Sequence, residues 1–106
     1  MKNVLIIAVS LLALLSGNAM ADEALAKKSG CFACHAIGKK VVGPAWKDVA
    51  GRYKGDAAAR DQLIKKVKTG GKGNWTDVTK GVPMPPYSPR VKDEDIATLV
   101  DFILGL

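Results

Sequence analysis

Histidine is the scarcest chemical resource of this 106-residue chain: His35 stands alone, and the only cysteines are Cys31 and Cys34. One imidazole cannot make a paired-histidine metal site within one subunit. Two cysteines and one histidine also fall short of the four nitrogen or sulfur ligands of a structural zinc site. With His35 committed elsewhere, no catalytic constellation remains, so enzyme activity is not expected. Alternating strand patterns are nearly absent, which points to an all-α chain of a few short helices and long loops. The βαβ setting of a thioredoxin-like cysteine pair is missing too. Acidic residues number 10 against 16 basic ones, a formal charge of +6. No nucleic-acid recognition motif accompanies that excess, which argues against nucleic acid as a partner.

Long apolar runs are also lacking, with one exception. Residues 4–15 are apolar, behind Met1-Lys2-Asn3 and ahead of Ala19-Met20-Ala21. A basic start, a short hydrophobic stretch and a small-residue site form the pattern of a secretory signal. The run is short for a membrane span, though an uncleaved anchor is the alternative. Cleavage is expected after Ala21, leaving residues 22–106 as one domain in an oxidising space, the periplasm, without stable membrane association.

What the sequence does have is Cys31-Phe32-Ala33-Cys34-His35. The C-x-x-C-H spacing is that of covalent c-type haem attachment. On one turn of chain, two sulfurs reach one edge of the macrocycle and the next side chain faces the iron. Cys31 and Cys34 are read as thioether anchors and His35 as an axial ligand. A disulfide between the cysteines is the plain alternative, but it leaves His35 without a role. A mature domain this small buries little core, and covalent haem would staple it.

Around the motif, four helices are expected. Residues 22–28 begin acidic and end basic, as the helix dipole favours. Pro44 can open a second helix over 45–53, with Trp46, Val49 and Tyr53 inward. Asp56 can cap a third, reaching about Lys68, with Leu63, Ile64 and Val67 on one face and Lys65 and Lys68 solvated. Residues 93–104 carry three acidic residues in the first turn, then Ile96, Leu99, Val100 and Ile103 at helical spacing. Residues 75–90 show no periodicity and read as one long, proline-fixed loop.

That loop holds Met84 between Pro83 and Pro85. Once a leader is removed, Met84 is the single thioether left. A methionine is usually core filling, but this one is off any helical face and is stiffened by proline on both sides. His35 and Met84 together would fill both axial positions. The iron could then only exchange an electron, at a potential raised by the thioether.

The ordered set C-F-A-C-H, Val42-Gly43-Pro44-Ala45, Gly73-Asn74-Trp75 and Val82-Pro83-Met84-Pro85-Pro86 resembles a class I cytochrome c of the short bacterial periplasmic kind, over residues 22–106. The resemblance implies a small fold wrapped around one haem c, with first and last helices crossing near Leu25, Leu99 and Phe102. It implies that the Pro44 carbonyl accepts a hydrogen bond from His35 Nδ1, and that Lys66 and Trp75 hold a haem propionate. The implied function is a soluble, monomeric one-electron carrier between respiratory redox complexes. Lysines such as Lys27, Lys39 and Lys40 would steer acidic protein donors and acceptors. Two departures stand out: the stretch from Trp75 to Met84 is longer by about a turn than in the shortest members, and Tyr87 replaces the Asn of many relatives. A haem protein with a labile Met84 and an accessible iron is the rival reading, and a structural module without haem is the second.

Overall fold

The computed structural model describes residues 19–106. Residues 19–28 are helical and are called α1, so helix is already present three residues before the expected start. The remainder of the expected leader lies outside the described residues. A 3-10 turn, Cys31–Ala33, carries the cysteines. Then come α2 (Trp46–Arg52), α3 (Ala59–Thr69), α4 (Thr76–Thr79) and α5 (Asp93–Leu104). No strand occurs among the described residues; two isolated bridges pair His35 with Lys40 and Gly71 with Met84.

Three boundaries differ from the sequence reading, each for a local reason. Pro44 precedes α2 rather than opening it. Ala45 is its extended N-cap, and the first helical N–H groups, of Trp46 and Lys47, donate to the carbonyls of Ala36 and Ile37 at 3.0 Å each. The loop behind the cysteine motif thereby satisfies donors that a helix start leaves free. Asp56 acts a turn earlier than expected: its Oδ1 accepts from Ala58 N at 3.0 Å, closing an Asx-type turn, and the helix begins at Ala59. The long loop contains α4, which the sequence reading lacks. Val78 N and Thr79 N both donate to the Trp75 carbonyl, at 3.0 and 2.9 Å. Lys80, at φ 57°, and Gly81, at φ 83°, end it after one turn. Such an element is too short to show a period of 3.6 residues.

Helix α5 is the spine, packed against α2 and α3. Its Ile96 and Val100 are fully buried, each worth about 1.5–3 kcal/mol in apolar transfer. One core cluster joins Ala26, Cys31, Trp46 and Leu99, with Leu25 and Phe102 packed onto it. The first and last helices therefore meet at the residues the resemblance implied. A second cluster joins Tyr87, Val91 and Ile96 with Ile64, Val67 and Met84 against them. Lys68 is not simply solvated. Its Nζ lies 3.0 Å from Asp93 Oδ2, so a cation at the end of α3 meets an anion at the start of α5, each at the helix end its charge favours.

Candidate cofactor site

Between these clusters lies one cleft. The seven residues singled out from the sequence (Cys31, Cys34, His35, Pro44, Lys66, Trp75 and Met84) all line it.

On one wall, the 3-10 turn presents Cys31, buried, and Cys34, half-buried, as free thiols. Burial raises the Cys31 thiol above its ordinary pKa, so it is neutral before any reaction; the Arg90 charge offsets this in part. His35 follows directly. Its backbone N donates to Cys31 O at 3.1 Å, and its Nδ1 is 2.9 Å from Pro44 O. A carbonyl only accepts, so Nδ1 carries the proton and Nε2 keeps its lone pair. Burial lowers the imidazole pKa below its usual value, and the Pro44 contact opposes that shift. The ring stacks on Trp46 at 5.7 Å, and Trp46 is itself held between Phe32 and Phe102. A Cβ at Gly43 would stand 2.5 Å from His35 Cε1, so only glycine lets the backbone pass this close to the ring.

Met84, which lines the same cleft from the second core cluster, is held by backbone. Gly71 N donates to Met84 O at 2.9 Å, and Met84 N donates to Gly71 O at 3.0 Å. Gly70, at φ 73°, turns the end of α3 into this bridge. A Cβ there would meet the Met84 carbonyl at 2.5 Å. No role for Gly70 and Gly71 was read from the sequence; adjacent glycines just after a helix were the available signal.

Lys66 runs along the glycine turn, its Nζ reaching Gly70 O at 3.5 Å. Trp75 lines the cleft with its ring under the Arg52 guanidinium, 4.4 Å from centroid to Cζ. Arg52 also donates to Asn74 O at 2.9 Å. The sequence reading missed Arg52, because an exposed arginine at a helix end carries no motif. Lys39 and Lys40 are exposed on the loop beyond the motif, and Lys27 is exposed on α1.

These residues fit a flat, apolar, iron-bearing macrocycle. Thiols and imidazole line the cleft from the cysteine turn, and a thioether lines it from the proline-rich loop. Leu63 and Val67 point their apolar surface into the space yet are only half-buried by the chain's own packing. Zinc finds no comparable donor set: among the described residues, no three His, Cys, Asp or Glu side chains converge on a metal position.

Comparison with known proteins agrees. The family model described as cytochrome c matches residues 21–106. Cytochrome c-551 of Allochromatium vinosum is 54% identical over 89 residues, covering 84% of this chain and 89% of that one. Cytochrome c-552 of Nitrosomonas europaea is 45% identical over 93 residues, covering 88% and 85%. The crystal structure of the wild-type Nitrosomonas europaea cytochrome c552 superposes with a TM-score of 0.71 at 44% identity, covering 79% of this chain and 98% of that chain. The class 1 cytochrome MtoD of Sideroxydans lithotrophicus gives 0.67 at 36% identity, covering 80% and 91%. The chain belongs to the cytochrome c family.

Proposed function

We propose that this cytochrome c is a periplasmic one-electron carrier, with His35 and Met84 as the axial ligands of its covalent haem c. When bound, the haem supplies an iron that alternates between ferric and ferrous states. The observation that supports the reading is that His35 and Met84 line one cleft from separate parts of the fold, each pinned through backbone. The Pro44 carbonyl fixes the imidazole tautomer and orientation and raises its basicity as a ligand. Met84 contributes a neutral sulfur that favours the reduced state. With both positions taken, substrate has nowhere to bind, and the role is carriage rather than catalysis. Cys31 and Cys34 would tether the group, while Lys66 and Trp75, which line the cleft, would hold its carboxylates.

Residues 1–21 act in this reading as a cleaved export signal, leaving 22–106 as a monomeric soluble domain. No helix among the described residues is long and apolar enough to cross a membrane. Val42 and Val82, about half exposed, frame the cleft mouth, with Lys39, Lys40 and Lys80 close by in sequence. An apolar centre with a basic surround suits brief docking to acidic redox proteins, through an interface small enough to release quickly.

The test is optical spectroscopy of the exported protein, oxidised and reduced. A covalent haem spectrum, a weak far-red iron–thioether band and no carbon monoxide binding at neutral pH are expected. Rapid carbon monoxide binding to the reduced protein would remove the carrier reading and make Met84 a labile ligand.

A further inference from the structure

Arg52 ends α2 and faces the segment that leads to Met84. Its NH1 donates to Asn74 O at 2.9 Å, and its guanidinium lies 4.4 Å from the Trp75 ring centroid and 6.0 Å from that of Tyr53. Asn74, Trp75 and Tyr53 all line the cleft. From Trp75 the contacts continue: its carbonyl holds Val78 N and Thr79 N, and Thr79 O accepts from Val82 N at 3.1 Å. Val82 is two residues before Met84. At its other end, α2 begins with Trp46, stacked on His35. Among the described residues, Arg52 makes the only side-chain hydrogen bond between α2 and residues 73–82.

We propose that Arg52 is a positioning residue: it clamps Asn74 and Trp75 to α2 and so keeps the Met84 segment closed over the cofactor. This deepens the proposed function and rests on Met84 being the distal ligand. The chemistry calls for arginine specifically. One planar group donates in its plane to a carbonyl while its face covers an indole, which the point charge of lysine cannot do at once. The bridge to Gly71 fixes Met84 from the side of α3, and the Arg52 clamp fixes the preceding chain from the side of α2. Opening the segment requires both to yield.

The test uses the oxidised holoprotein and imidazole, an external ligand that binds iron only by displacing Met84. Wild type, Arg52→Ala, Arg52→Lys and Arg60→Ala are titrated and their far-red bands recorded. Arg60 serves as control because its bidentate pair with Asp101 joins α3 to α5, away from the Met84 segment. Arg52→Ala is expected to bind imidazole roughly tenfold more tightly, the scale of one lost charged hydrogen bond and cation–π contact. Arg52→Lys should recover little of this, and Arg60→Ala should match wild type. A wild-type-like Arg52→Ala overturns the clamp, as does an Arg60→Ala that gains as much, since general loosening then explains both. A wild type that lacks the far-red band removes the Met84 assignment itself, and the clamp with it.

Discussion

The two walls of the cleft reach the same end by different means. His35 is held within one short stretch: its partners are Cys31, Gly43, Pro44 and Trp46. Met84 is held across the fold, by Gly71 after α3 and by the Tyr87 cluster. Local contacts close small loops at little entropic cost and form early, whereas distant ones need the rest of the chain in place. The histidine wall should therefore be set once the motif and α2 form. The methionine wall is a consequence of tertiary structure and is the softer of the two.

The largest effects should come from removing each ligand, and they should differ in kind. His35→Ala should leave covalently loaded protein near background in an export-competent host, because the firm wall loses its centre. Met84→Ala should still load haem, but with a lower reduction potential and ready carbon monoxide binding. Pigment yield and redox titration of the two variants check this. Similar yields from both would show that the walls are equally necessary and dissolve the distinction.

That contrast also explains what the sequence made legible. On the His35 wall, C-x-x-C-H could be read from its spacing, and the Pro44 contact was implied by the family resemblance. The three longer helices after it were legible as amphipathic patterns. On the Met84 wall, the proposed ligand stood out by its flanking prolines, but its support could not be read. The Gly71 bridge pairs residues distant in sequence, α4 is too short for a pattern, and Arg52 acts through a contact that depends on where α2 ends. Leu63, Ile64 and Val67 were placed on the correct face of α3. Leu63 and Val67 are half-buried because they line the cleft, whereas Ile64 packs against the Tyr87, Val91 and Ile96 cluster.

Two glycine variants sharpen the comparison at smaller scale. In Gly70→Ala, a side chain is forced into a φ of 73° and against the Met84 and Pro86 backbone, 2.5 and 2.8 Å away. At ψ −166° this backbone lies in a region essentially confined to glycine, and the strain alone costs about 1–3 kcal/mol, which in a domain of this size lowers Tm by roughly 5–20 °C. In Gly43→Ala the collision is with the His35 ring, and the backbone φ is unexceptional. The ring can tilt, so the loss of Tm should be smaller, while the reduction potential should shift as the Pro44 hydrogen bond lengthens. Calorimetry and voltammetry on both proteins separate the outcomes. If Gly43→Ala loses as much Tm as Gly70→Ala, the proximal loop yields no better than the backbone bridge.

The smallest effect lies in the pH dependence of stability, where the walls should govern opposite limbs. His35 has its pKa lowered below 6.5, first by burial. Iron bound at Nε2 would hold the imidazole deprotonated in the same direction, so as pH falls below 6.5 the unfolded chain takes up this proton first and stability present above that value is lost toward acid. Tyr87, buried beside Met84 with the Arg90 guanidinium 4.9 Å from its ring centroid, has its pKa raised above 10.0. Burial is the main cause, with the charges of Cys31 and Cys34 adding to it. Thioether formation removes those charges and leaves burial as the source. The unfolded chain then loses the phenolic proton first, so stability is full below about pH 10 and falls as pH rises beyond it. Tyr87→Phe should flatten the alkaline limb, leave the acid limb in place and change stability at neutral pH by no more than about 1 kcal/mol. Denaturant unfolding from pH 5 to 11 measures both limbs at once. An alkaline limb that stays as steep in Tyr87→Phe would mean that another group on the methionine wall controls it.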